Sequence, residues 1–545
     1  MATTTAPLDS PNDSPLTPLR FLKRSAEVFP TKAAIVYGAR HYTYAQFAAA
    51  AETLARAIRS RITPGDRVVF LSPNTPEMLI AQFAVPLAGG ILISLNPRLS
   101  LAEVRYVLDH SEATLLFYDA EFASVVGDSL EHCSSLRSIV EIGDSEFGCA
   151  VSGIELGQES FADFESAWHA DERPVRWEID DERAVISINY TSGTTGKPKG
   201  VMYSHRGAYL NAMGEVFHNG LDNRSVYLWT LPLFHCNGWC TPWAVTAASG
   251  THVCLRAVRP VSIWSAIDDL GVTNLCGAPT VCNVIANADQ AHVLEHPLRI
   301  TTAGAPPSPT IIERLERLGA TVVHVYGLTE AYGPFTICEY QEAWDALAPA
   351  ARATMIARQG VSMVQAEAPR VVDEAMNDVA RDGSTIGEIV LRGNNVMIGY
   401  YRDEAATATA FAGGWFHTGD LGVMHSDGYV EVKDRAKDII ISGGENISSI
   451  EVENSIASHP SVADVAVVAV PHETWGERPE AYVLLHEGHF ATVEEISTHA
   501  RLTLARFKVP DSVVFVDALP RTATGKVVKA SLRALSLQSS RVSTV

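Results

Sequence analysis

Positive charge is scarce in this chain. Its 42 lysines and arginines face 63 aspartates and glutamates, a formal net charge of −21. That balance argues against nucleic acid or an anionic membrane surface as a general partner. An anionic substrate must instead be met by cations gathered locally. A paired cysteine framework is also missing. The eight cysteines (Cys133, Cys149, Cys236, Cys240, Cys254, Cys276, Cys282 and Cys338) are scattered among apolar neighbours. That pattern fits a reducing compartment, where thiols behave as small core residues. His235, Cys236 and Cys240 lie close in sequence. No second ligand pair follows at zinc-finger spacing, so metal ligation is not expected there.

Residues 1–18 are rich in Thr, Ser and Pro and lack the basic and apolar regions of a signal peptide. Residues 1–20 are therefore expected to form a flexible tail. The chain ends Ser543, Thr544, Val545, which is not a Ser-Lys-Leu type of address, and a cytoplasmic location is expected. Residues 78–95 carry no charge over nearly membrane-spanning length, but Gln82, Pro86, Gly89 and Gly90 interrupt them. A buried helix turning into a strand is the expectation, with no integral membrane segment. No internal repeat is found.

What is present is a long, apolar-rich sequence: 545 residues, 47% hydrophobic and 19% charged. That length exceeds a single core and predicts about three or four domain-sized units. Helical periods alternate with short β-branched runs through most of the first 340 residues. Residues 44–58 and 67–71 form one such helix–strand pair, 101–108 and 113–118 another, 263–270 and 272–276 a third. The alternation predicts layered α/β units with largely parallel sheets. Near Ile386 the texture changes to short strands and turns, predicting a β-rich lobe. From Ser448 a helix over 450–458 and a strand over 463–470 predict a compact C-terminal domain of about a hundred residues.

The run from Tyr190 to Val201 is the most informative segment. Thr191, Ser192, Gly193, Thr194, Thr195, Gly196, Lys197 and Lys199 follow an apolar stretch. Glycines let backbone amides approach a ligand, and hydroxyls with ammonium groups complete a cradle for polyphosphate. It is not a P-loop. Two residues, not four, separate Gly193 from Gly196, and Lys197 is followed by Pro198 rather than Ser or Thr. The competing reading is a flexible linker, which has no need of two lysines placed against a buried strand.

Other clusters are ordinary when taken singly. His235, Asn237, Gly238 and Trp239 could wall a pocket, although a histidine there is more often a satisfied core residue. Gly304, Ala305 and Pro306 form a corner that could approach a flat ligand, or a plain loop. Tyr326 offers a stacking face, Gly327 close backbone approach, and Thr329 with Glu330 oxygen ligands for phosphate and magnesium. Asp420 follows a Thr-Gly turn and could accept ribose hydroxyls, with Arg435 adding a guanidinium. The alternative there is a solvated charge run. Lys526 follows a Thr/Gly loop, where a mobile cation could stabilise developing negative charge.

Together and in this order, these segments resemble the adenylate-forming enzymes: acyl-CoA synthetases, peptide-synthetase adenylation domains and beetle luciferases. The resemblance covers roughly residues 20 to 535 and is strongest to acyl-CoA synthetases for short-chain, medium-chain or aromatic acids. It implies an α/β fold in which a large N-terminal domain of two α/β layered subdomains plus a β-rich lobe (21–435) precedes a small mobile α+β C-terminal domain (436–545). It implies ATP, Mg2+ and CoA, with a homodimer as a further expectation. Thr191 to Lys199 would grip phosphates, and Ala305, Pro306 and Tyr326 frame adenine. Thr329 and Glu330 would hold phosphate and magnesium, Asp420 and Arg435 the ribose. Lys526 would be catalytic, Lys437 the hinge, and Gly443, Gly444 and Trp475 the lining of a pantetheine tunnel. His235, Asn237, Gly238, Trp239, Gly304 and Gly327 would wall the acyl pocket. The relatives' alternative activities are loading of a carrier protein and oxygenation of an acyl-AMP.

Overall fold

The computed structural model describes residues 11–129, 133–148, 159–166, 173–191, 197–304, 307, 309–435, 438–442, 445–472, 475–522 and 526–542. Continuous apolar runs become central strands. Arg67–Leu71 is buried at its last four positions because it lies between the parallel strands Ile91–Leu95 and Ala113–Asp119. A parallel strand covered on both faces needs apolar side chains on both. Local signals set the flanking helices. Thr43 and Gln46 form a capping box for Tyr44–Arg59, and Ser100 with Glu103 does the same for Leu101–Ser111. The uncharged stretch is a helix, Pro76–Leu87, followed by the strand Ile91–Leu95, as its interruptions predicted.

Among the described residues two large mixed sheets carry most of the fold. One has eight strands with Ile91–Leu95 near its centre, and the other nine, running from Val361–Ser362 to Arg40–Thr43. One apolar core spans both, through Phe47, Phe83, Trp229, Trp243 and Tyr332. Arg256 ties the two sheets together. Its guanidinium bonds Asp119 at 2.6 Å, Asp144 at 3.0 Å and Glu121 at 2.8 Å. A third, antiparallel sheet of Arg370–Val372, Gly387–Leu391, Phe416–Met424 and Val430–Arg435 is the β-rich lobe expected from the sequence. The last module has its own core around Ile440, Val452, Ile456, Val467, Val483 and Ile496.

The expected tail over residues 1–20 does not reach its predicted end. Thr17 is fully buried, with its hydroxyl 3.0 Å from His205 Nδ1, and the amide of Leu16 donates to Glu182 at 2.8 Å. Leu19, Phe21 and Leu22 bury one face of the helix Leu19–Val28 against the core, which fixes the residues before it.

Candidate active site

Four elements distant in sequence meet at one place. The strand Phe416–Met424 sets Asp420 opposite Arg435 in the antiparallel register. Asp420 is buried, and Arg435 Nε lies 3.1 Å from its Oδ1. The Tyr326 hydroxyl, from the strand Ala320–Leu328, donates to Asp420 Oδ2 at 2.8 Å. Burial first, and the Asp420 carboxylate second, hold that phenol far above its usual range. Asp420 thus has one oxygen on a phenol and the other on a guanidinium, which fixes the orientation of its carboxylate.

After that strand the backbone turns through Thr329–Ala331. The Thr329 carbonyl accepts the Tyr203 hydroxyl at 2.6 Å, and the Glu330 carbonyl accepts the Met397 amide at 2.8 Å. Glu330 Oε1 accepts the Tyr400 hydroxyl at 2.9 Å, and burial raises the Glu330 carboxyl above its ordinary value. Tyr400 also underlies Lys199, whose Nζ lies 4.6 Å from the ring centroid. Lys197 sits 5.3 Å from the Tyr106 ring. Both lysines are exposed; Lys199 pairs with Thr191 in a hairpin, and Lys197 stands two residues before that strand. Thr191 and Lys199 are the last described pair of that hairpin. Ser192, Gly193, Thr194, Thr195 and Gly196 lie outside the described residues, as do Ala305, Pro306, Lys437, Gly443 and Gly444.

Lys526 reaches this place from the C-terminal module. Its amide donates to Thr522 Oγ1 at 3.1 Å and its carbonyl accepts the Thr522 amide at 2.7 Å. Burial, then Arg435, lowers its ammonium pKa, while Asp420, Cys236 and Glu330 oppose the shift. Gly304 has φ +96°, and a Cβ placed there would stand 3.5 Å from Lys526 Cε. The positive φ accounts for the glycine, and a Cβ there would only touch the lysine at ordinary contact distance. His235 is pushed down to about 4 by burial and then by Lys526, so its imidazole is neutral at neutral pH.

The segment after His235 departs from expectation. Cys236, Asn237, Gly238, Trp239 and Cys240 have φ of 53°, 50°, 55°, 58° and 63°, a continuous left-handed turn. Left-handed backbone costs a non-glycine residue about 1–2 kcal/mol. A buried amide network holds it. Asn237 Oδ1 accepts Ser187 Oγ and Asn189 Nδ2, both at 2.7 Å, and its Nδ2 donates to Gln82 at 2.7 Å. The Asn237 side chain is thus committed to the scaffold rather than to a pocket wall. A Cβ on Gly238 would stand 2.7 Å from the Trp229 ring, so that glycine also faces the core. The turn sends Cys236 toward Thr329, with Sγ 3.5 Å from its Oγ1, and packs Trp239 against Gly333. Gly327 is explained by its own hairpin: a Cβ there would lie 1.8 Å from the Gly333 carbonyl oxygen. Trp475 is half exposed beside the Ser442–Gly476 pairing, on the C-terminal module.

Tyr203, Tyr332 and Tyr400 were not read from the sequence as site residues. Tyr203 and Tyr332 stack at 3.9 Å and brace the Thr329 turn. Their sequence surroundings carry no pattern that marks them. Among the described residues no group of three His, Cys, Asp or Glu could hold a metal by itself, and no helix is long and apolar enough to cross a membrane. The described cysteines are all buried and none is in a disulfide; Cys149 lies outside the described residues.

Residues 22–401 match the family described as AMP-binding enzyme, and residues 451–526 match the AMP-binding enzyme C-terminal domain. The acetate–CoA ligase CCL3 of Humulus lupulus is 43% identical, covering 97% of this chain and 96% of that protein. The trans-cinnamate:CoA ligase of Petunia hybrida is 41% identical over 96% of this chain and 95% of its own. The crystal structure of ATP-bound MatB from Rhodopseudomonas palustris superposes with a TM-score of 0.81 at 27% identity, covering 95% of this chain and 98% of that one.

Proposed function

We propose, because the chain belongs to the AMP-binding enzyme family and is an AMP-forming acid–CoA ligase, that it activates a short-chain, medium-chain or aromatic carboxylic acid at the site around Lys526. In the first step a carboxylate oxygen attacks the α-phosphorus of ATP. The bond from that phosphorus to the bridging oxygen breaks, and pyrophosphate departs with the electron pair. In the second step the CoA sulfur attacks the acyl carbonyl carbon, the thiol proton is lost, and AMP leaves as the anion.

The observation that carries this reading is the presence of Lys526 beside Gly304, in the company of Arg435, Asp420 and Glu330. An ammonium at that position bridges the acid's carboxylate and the α-phosphate oxygens, adding charge where it develops. Asp420 and Arg435 hold the ribose hydroxyls, and the Tyr326 ring faces adenine along with Ala305 and Pro306. Thr191 to Lys199 grip the phosphates, with Thr329 as a further contact. Glu330 would suit a magnesium ion, since its carboxylate shares the Tyr400 side chain with Lys199 and substrate phosphates can complete the shell. Such an ion supplies neutralisation of phosphate charge. Domain limits at 21–435 and 436–545, a Lys437 hinge, and Gly443, Gly444 and Trp475 along the pantetheine path belong to the same reading, as does a cytoplasmic location.

Trp239, packed against Gly333, supports a shallow acyl pocket. A panel of acids with ATP and CoA, read by mass spectrometry of the thioesters, tests this. Hexanoate or benzoate is expected to outperform palmitate, and the opposite order refutes the pocket. Lys526→Ala is expected to lower acyl-AMP formation by about 100- to 1000-fold, while thioester formation from supplied acyl-AMP persists. Equal loss in both removes Lys526 from its role.

A further inference from the structure

Lys526 lies on a separate module, so something must hold that module where the lysine reaches the site. The contacts that do so converge on Asp434, the residue before Arg435. Asp434 belongs to the strand Val430–Arg435 of the third sheet and is almost fully buried. Its Oδ2 accepts both the amide and the hydroxyl of Ser449 at 2.6 Å. Ser449 opens the helix Ser449–Ala457, whose far side, Val452 and Ile456, is the core of the C-terminal module. The preceding Ser448 caps that helix through Glu451 at 3.1 Å and donates its hydroxyl to the Lys433 carbonyl on the same strand.

Lys529 completes the cluster. Its ammonium donates to Ser449 Oγ and pairs with Glu453 at 2.8 Å, and Asp434 adds further attraction. Glu453 in turn accepts the Val467 amide at 2.8 Å. Lys529 is the first residue of the helix Lys529–Val542, three residues beyond Lys526. One buried ammonium thus links the base of the Lys526 segment to the helix that Asp434 grips. Two carboxylates, one ammonium and a helix N-terminus form a closed set of charge-assisted bonds across the junction.

We propose that Asp434 and Lys529 are positioning residues, holding the C-terminal module in the orientation in which Lys526 serves acyl-AMP formation. The inference rests on the reading of Lys526 given above. Neither side chain needs to touch a substrate.

The test uses the full chain with Asp434→Asn and Lys529→Met in two half-reactions. One is acid- and ATP-dependent release of pyrophosphate without CoA; the other is thioester formation from supplied acyl-AMP and CoA. Loss of a charged hydrogen-bond partner is expected to slow the first by about 10- to 100-fold, with the second unchanged within about twofold. The double variant Asp434→Asn/Lys526→Ala is expected to be no slower than Lys526→Ala alone, because Asp434 acts through that lysine. Equal losses in both half-reactions, no loss in either, or a further loss in the double variant overturns the inference. Loss in Lys526→Ala without loss in Asp434→Asn removes this inference alone. An unaffected Lys526→Ala removes the reading beneath it.

Discussion

Glu215→Gln is expected to reverse the sign of this protein's stability change between pH 5 and pH 8. Glu215 lies in the helix His205–His218 and is fully buried. Its Oε2 accepts Asn219 Nδ2 at 2.6 Å, whereas Oε1 has no hydrogen-bond partner among the described residues. Burial raises its carboxyl from 4.5 to about 8, with the Asn219 bond opposing. The folded state therefore holds a proton that the unfolded chain releases above about pH 4.5. Stability from this group is complete below that pH and is lost as pH rises toward 8. Holding that proton costs the folded state about 3 kcal/mol at pH 7 and about 4 kcal/mol at pH 8, against about 1 kcal/mol at pH 5.

Glutamine keeps the acceptor for Asn219 and removes the titration, but buries an amide in place of the unpaired oxygen, at about 1–3 kcal/mol. Glu215→Gln is thus expected to match or fall below the parent at pH 5 and to exceed it by about 1–3 kcal/mol at pH 8. For units of this size each kcal/mol moves Tm by about 2–4 °C. Calorimetry of both proteins from pH 5 to pH 8 reads the difference directly. A Tm difference that stays flat, or that turns against glutamine as pH rises, refutes a protonated Glu215. The position bears on the site, because Asn219 Oδ1 accepts the Thr301 hydroxyl at 2.6 Å, on the strand that leads to Gly304.

Two further substitutions separate site from scaffold. Tyr326→Phe removes the 2.8 Å bond to Asp420 and keeps the ring; KM for ATP is expected to rise about 5- to 10-fold with KM for the acid unchanged. An unchanged KM for ATP would separate Tyr326 from the nucleotide. Asn237→Ala strips partners from buried Gln82, Ser187 and Asn189, and denaturant unfolding is expected to show a loss of about 3 kcal/mol or more. A loss confined to acid binding, with stability intact, would return Asn237 to the pocket wall.

The fold was largely legible because its signals are local. Residues 67–71 predicted the strand Arg67–Leu71 without shift. The helix expected over 44–58 is Tyr44–Arg59, capped by Thr43 and Gln46 next to it in sequence. The strand expected over 463–470 extends to Val462–His472, since its hairpin with Gly476–Leu485 pairs beyond the apolar run. The site was legible as a set of motifs, and Asp420, Arg435, Tyr326, Glu330 and Lys526 do gather in one place. Asn237 and Gly327 have scaffold partners that the sequence did not announce. A pocket residue and a scaffold residue have the same local signature, and only the partner across the fold tells them apart.

The sequence by itself determined the strand and helix pattern and the family-level reaction, because each is written in neighbouring residues. Tertiary structure decided what distance along the chain hides. It turned residues 236–240 left-handed around a buried amide, left one Glu215 oxygen without a partner among the described residues, and set Lys529 and Asp434 on one serine. Those outcomes depend on low-dielectric burial and on contacts between residues far apart in sequence, which no local spacing encodes.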